Sequence, residues 1–119
     1  PDDVVTSPSK LAQIFDRFEH RCLVGHTHSP GVFTAEPDFY PPIDLDNGIF
    51  EFESDGKCII NPGSVGQPRD RDPRASYAIL HDDHVEFVRL EYDIHRVIAK
   101  IKDIPDLHEF HGLRLLEGR

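Results

Sequence analysis

The residues with the clearest chemical potential are the two histidines of Gly25-His26-Thr27-His28-Ser29-Pro30. Neutral imidazole is the commonest metal ligand in proteins. The strand-forming run Arg21-Cys22-Leu23-Val24 leads into this stretch and Pro30-Gly31 closes it. Inside a strand, histidines at i and i+2 share one face of the pleat. At a strand exit, where pairing stops, both rings are free to turn toward one point beyond the sheet edge. Gly25 is expected to permit a tight bend or a close approach that a side chain would block. The local chemistry is that of half a metal site. A solitary His-x-His also arises by chance, and most surface pairs of histidines bind nothing, so a second signal is needed.

That signal is Asn61-Pro62-Gly63-Ser64-Val65-Gly66-Gln67-Pro68-Arg69, which follows the apolar run Cys58-Ile59-Ile60. Two Gly/Pro-rich loops after two short apolar strands are expected to lie side by side at one end of a sheet, where open α/β folds place their ligands. The next stretch, Asp70-Arg71-Asp72-Pro73-Arg74, reads either as a solvated loop with weak ion pairs or as the source of one arginine for a bound phosphate. A planar guanidinium matches phosphate oxygens in pairs. Spacing does not choose among Arg69, Arg71 and Arg74. His81-Asp82-Asp83-His84 has ligand-like residue types, but it sits where a hairpin must turn and reads as an ordinary surface tip. His95, His108 and His111 are expected to be solvated.

The elements that must position these loops are short. Ser7-Pro8 reads as a helix start, with Ser at the cap and Pro at the first helical position. Leu11, Ile14, Phe15 and Phe18 then form one apolar stripe of a helix running to about Glu19-His20. Val32-Phe33-Thr34 reads as a strand. The stretch 35–46, rich in Pro and Asp, reads as an irregular excursion whose Phe39 and Tyr40 pack locally or serve as a substrate-side lid. Gly48-Ile49-Phe50-Glu51-Phe52 alternates as a strand, and Ser54-Asp55-Gly56 is expected to turn it into Lys57-Cys58-Ile59-Ile60 as a hairpin. A second hairpin joins 76–80 to 85–90. Asp93 is expected to cap a helix that buries Ile94, Val97, Ile98 and Ile101, and Pro105 stops it. Leu107, Phe110, Leu113 and Leu116 mark a final short helix.

Composition narrows the function classes. The chain has 119 residues, one domain at most or part of one. Its 13 Lys and Arg against 22 Asp and Glu give a net charge of -9, which argues against general binding to nucleic acid. A phosphorylated substrate stays compatible with that charge where bound metal reverses the local sign. No apolar run is long enough for a membrane-spanning helix, so no membrane partner is expected. Cys22 and Cys58 lie in apolar runs and read as buried free thiols of a cytoplasmic protein. The chain starts at Pro1 and contains no methionine, so it is expected to be part of something longer.

The two loops, in this order, resemble the C-terminal half of a bacterial calcineurin-like metallophosphoesterase. The likeness continues through Asp72-Pro73-Arg74-Ala75-Ser76-Tyr77, the second hairpin and Tyr92-Asp93, and so covers nearly the whole chain. It implies an α+β or α/β fold, part of a four-layer α/β/β/α sandwich, with residues 1–119 forming the C-terminal portion of a single domain. It also implies two divalent ions, Mn favoured over Fe, Zn or Ni. His26 would ligate the second ion and His28 the first, with Asn61, Gly63 and Ser64 lining the same cleft. The family's Asp-x-His, Gly-Asp-x-x-Asp and Gly-Asn-His motifs are absent from this sequence, and no catalytic acid or base is assigned.

The implied activity is hydrolysis of a phosphoric ester, monoester or diester. The substrate would be a phosphorylated small molecule, a nucleotide or a phosphoprotein. Two histidines alone cannot hold a dinuclear centre, so this chain by itself is expected to be inactive. A half sandwich should leave strand residues such as Val24, Ile60 and Ile79 uncovered, predicting either a homodimer or association with the missing N-terminal half. The alternative function is a non-catalytic scaffold or protein-binding module on the same fold.

Overall fold

A computed structural model describes residues 8–119. The lead-in and the expected Ser7 cap lie outside these residues. Helix α1 spans Pro8–Phe15, ending sooner than its apolar stripe predicts. Its last turn tightens, with Arg17 N donating to Ile14 O, yet Phe18 still packs on the same cluster beyond the helix end.

Among the described residues seven strands form two sheets. In the first, β1 (Arg21–Leu23), β5 (Cys58–Asn61), β2 (Gly31–Thr34) and β3 (Phe39–Tyr40) lie in the order β1-β5-β2-β3. Strand β1 runs parallel to β5, with Leu23 opposite Ile60. Strand β2 runs antiparallel to β5, with Val32 opposite Ile60 and Gly31 opposite Asn61. In the second, β4 (Ile49–Glu51), β7 (His84–Leu90) and β6 (Ala75–Leu80) lie in the order β4-β7-β6. The expected 76–90 hairpin is present as β6–β7.

The other expected hairpin does not form. Ile49–Glu51 pairs with β7 in the second sheet, while Cys58–Asn61 sits in the first between β1 and β2. The turn at 53–56, closed by Gly56 N to Glu53 O, is therefore a crossover between sheets. Phe50 and Phe52 pack into the inter-sheet core, which pulls β4 across to the second sheet. The excursion at 35–46 also has more order than expected. Phe39 pairs with Phe33, their tilted rings 4.4 Å apart between centroids, and the Tyr40 ring lies 5.7 Å from that of Phe50.

Strand alternation divides the core in two. Cys58 and Ile60 face the second sheet and meet Val32, Val85 and Phe87. Ile59 faces the other way, onto Leu11 and Phe15 of α1. Ile60 is 1% exposed, so the expectation that it lacks cover is wrong: the second sheet supplies that cover from within this chain. Val24, also expected bare, packs on the α1 cluster. Ile79 is exposed as expected, and Leu23 and Leu80 join it, at 63% and 48% exposed. These last two sit on β1 and β6, one edge strand of each sheet. Between them runs an apolar groove of about 280 Å³ floored by Ile60, Ala78 and Val85.

Asp93 caps α2 (Ile94–Lys102), accepting from Arg96 N at 3.1 Å. The C-terminal segment faces the opposite way to its expected stripe. In α3 (Phe110–Leu113) and the 3-10 turn after it, Gly112 and Leu115 are buried, whereas Phe110, Leu113 and Leu116 are exposed. A Cβ on Gly112 would lie 3.3 Å from Ile98, so the helices meet through the glycine, and Leu113 and Leu116 turn outward. Among the described residues no helix is long and apolar enough to cross a membrane.

Candidate metal loop and its brace

Strands β1 and β5 run parallel, so the loops leaving their C-terminal ends emerge together, as the sequence predicts. Pairing continues one residue past β1 through Val24 N to Ile60 O at 2.9 Å, and then the chain breaks away. Gly25 is not the residue that permits the bend. It has no positive φ, and nothing lies within 4 Å of where its Cβ would be. The left-handed positions are the histidines themselves, His26 at φ 78° and His28 at φ 59°. A non-glycine residue there costs roughly 1–2 kcal/mol. Such conformations persist where the surroundings over-determine them, and they cluster at functional sites.

The surroundings here are the second loop. Gln67 O lies 2.9 Å from His28 Nδ1. A carbonyl only accepts, so Nδ1 carries a proton, and in the neutral ring this tautomer leaves the Nε2 lone pair for a metal. Arg69 N donates to His28 O at 3.1 Å. Asn61 Nδ2 donates to Thr27 Oγ1 at 2.8 Å, while Asn61 Oδ1 accepts from Gly63 N at 2.9 Å. Asn61, 3% exposed, thus joins the two loops with its Nδ2 and fixes the turn of its own loop with its Oδ1.

Ser76 on β6 completes the brace. It is 2% exposed; its Oγ donates to Pro62 O and its N to Ser64 O, both at 2.9 Å. Ser64 Oγ accepts from Gln67 N at 2.9 Å, passing the constraint to the residue that holds His28. Gly63, at φ 84°, has no room for a side chain: a Cβ would lie 2.6 Å from Ser76 Oγ and 3.1 Å from Pro30 Cβ. Asn61, Gly63 and Ser64, expected to line a cleft, therefore act in this chain as supports for the histidine loop. Thr27, Gln67 and Ser76 were not singled out from sequence. A small polar residue at a buried strand position was the one available sign of Ser76.

Downstream, Asp72 binds Arg74 through both carboxylate oxygens, Nη2 to Oδ2 at 2.7 Å. That hydrogen-bonded guanidinium holds the Asp72 carboxyl below the usual carboxylate range. Arg89 binds the Asp70 carboxylate. His81 and His84 stack on each other at the β6–β7 tip, 4.0 Å between centroids, and His84 Nδ1 is 2.6 Å from Asp83 Oδ1.

His26 and His28 offer two imidazoles, and among the described residues no third His, Cys, Asp or Glu joins any such group. The donor types suit a transition-metal ion, but two donors make only part of a site.

Two stacked sheets, a helix outside the first, and a histidine loop at the end of a parallel strand pair form about half of a metallophosphoesterase fold. The crystal structure of a metallophosphoesterase from Sphaerobacter thermophilus matches with a TM-score of 0.82 and 38% identity, over 94% of this chain and 48% of that one. An uncharacterized protein of Methanocaldococcus jannaschii is 44% identical over 99 residues, which is 82% of this chain and 39% of that protein. The chain thus spans about half the length, or less, of these two relatives. No family model matches it.

Proposed function

We propose that this chain is the C-terminal portion of a metal-dependent phosphoric ester hydrolase, calcineurin-like in its histidine motif, and that it supplies His26 and His28 to a dinuclear centre, Mn favoured. The observation that carries this reading is the setting of His28: left-handed backbone and Nδ1 committed to Gln67 O, with no partner at Nε2 among the described residues. A histidine without a function has no need of two interlocked loops to fix its tautomer. Two bound divalent ions would lower the pKa of a water and take up charge on phosphoryl oxygens. The chain's own residues orient His28, keep the Nδ1 proton at Gln67 O, and hold the loop against thermal motion through Asn61 and Ser76.

The remaining ligands would come from the N-terminal half of the domain, seated on the open β1 and β6 edges and covering Leu23, Ile79 and Leu80. Unpaired strand edges beside an apolar groove favour addition of further strands. The free thiols of Cys22 and Cys58 support a reducing compartment such as the cytoplasm.

The second reading is a non-catalytic scaffold or protein-binding module on the same fold. The test measures metal content and turnover of an aryl phosphomonoester and a bis-aryl phosphodiester in Mn²⁺. It compares the chain alone with the chain joined to an N-terminal half carrying the upstream motifs. The expected result is two metals and turnover in the joined protein only, abolished by His26→Ala or His28→Ala. A joined protein that binds no metal would establish the scaffold reading instead.

A further inference from the structure

The loop after Pro68 carries three arginines that spacing leaves equivalent, and the structure separates them. Arg74 is committed to Asp72 through Nε and Nη2. Arg71 sits in a left-handed turn, φ 69°, whose amide donates to Gly118 O at 3.0 Å, tying that position to the end of the chain. Arg69 is tied instead to the histidine loop. Its amide donates to His28 O at 3.1 Å, and its Nη2 donates to Gln67 Oε1 at 3.2 Å. Gln67 thereby fixes the His28 ring with its backbone carbonyl and the Arg69 guanidinium with its side chain. Among the described residues the guanidinium has that one neutral partner, no carboxylate neutralises it, and Arg69 is exposed. In a chain of net charge -9, this leaves a positive fork beside the proposed metal loop.

We infer that Arg69 is a substrate-binding residue that grips the phosphate and favours phosphomonoesters over phosphodiesters. The inference rests on the phosphoesterase reading above. A monoester has three non-bridging oxygens and close to two negative charges; a diester has two such oxygens and one charge. A guanidinium presents paired donors that match two phosphate oxygens, which both esters offer, so the second negative charge of the monoester is what it distinguishes. Gln67 Oε1 holds the fork near the loop while leaving its charge available.

The test uses the joined two-half protein, comparing Arg69→Gln, Arg69→Lys and, as a change of equal charge two residues away, Arg71→Gln. Losing a charge-assisted contact should lower kcat/KM for the aryl monoester by roughly 10- to 100-fold. The diester should change by about 2-fold or less, Arg69→Lys should recover part of the loss, and Arg71→Gln should leave the selectivity ratio intact. Calorimetric binding of inorganic phosphate to the metal-loaded protein gives a readout independent of turnover. It should weaken in Arg69→Gln and hold in Arg71→Gln. Equal loss on both esters, or no loss, with an active parent protein would overturn the role of Arg69 and leave the phosphoesterase reading standing. A parent protein that turns over neither ester would overturn both.

Discussion

The loop after β1 and the β6–β7 tip each carry a pair of histidines close in sequence, and the two pairs are held in opposite ways. At the β6–β7 tip, His81 and His84 stack face to face, and His84 is tied to its neighbour Asp83. Those contacts are local, and among the described residues no buried group of another element fixes either ring. In the loop after β1, both histidines take up left-handed backbone, and His28 is held by a carbonyl 39 residues away. Behind that carbonyl stand Asn61, Ser64 and Ser76, two of them almost wholly buried. The tip is an arrangement that solvent could replace at little cost. The loop is one the fold maintains at a cost, and ligand-like residues become a candidate site when distant elements fix their orientation.

That contrast can be broken most directly at the histidines. His28→Ala in the joined protein should lower metal affinity by more than about 100-fold, while His84→Ala should leave metal content unchanged; a metal titration of both variants decides it. Next in size is the brace. Gly63→Ala forces a Cβ into Ser76 in a left-handed residue and should destabilise the chain by about 3 kcal/mol. Gly66, in open space with no positive φ, should accept alanine within about 0.5 kcal/mol. Urea unfolding of the two variants measures the difference.

Asn61→Ala leaves Thr27 Oγ1 and Gly63 N without their partner and should cost about 2 kcal/mol. It should also shift His28 away from a single tautomer, read from the ¹⁵N chemical shifts of the imidazole. An unchanged tautomer would separate the brace from the site. The smallest effect concerns pH. The Asp72 carboxyl has a folded pKa depressed chiefly by its hydrogen bond to Arg74. Its contribution is therefore present above the unfolded value near pH 3.9 and is lost as pH falls through the lower folded value. For a partly exposed pair this amounts to less than about 1 kcal/mol. Asp72→Asn should flatten the acid limb of the stability curve by that amount and leave the curve near neutrality unchanged in shape.

The features legible from sequence were those whose signal is local. The His-x-His loop, the Asn61-to-Arg69 loop, the Asp93 cap and the β6–β7 hairpin each declare themselves within about ten residues, because a cap, a tight turn or an alternation depends on near neighbours. The position of both loops at one end of a sheet also followed from their shared place after apolar strands.

Other features had to await the tertiary structure. Alternation marked Ile49–Glu51 and Cys58–Asn61 as strands and could not say that they join different sheets. Periodicity found the stripe of Leu107, Phe110, Leu113 and Leu116, but the approach of Ile98 to Gly112 turned it outward. The three arginines differ only in what each meets: a carboxylate, the chain's end, or the histidine loop. Sequence determined which residues could do chemistry and which short elements carry them, since those depend on side-chain type and near spacing. The tertiary structure alone decided which histidine ring is held by a distant carbonyl and which arginine is tied to the histidine loop, because each depends on a hydrogen-bond partner brought in by folding.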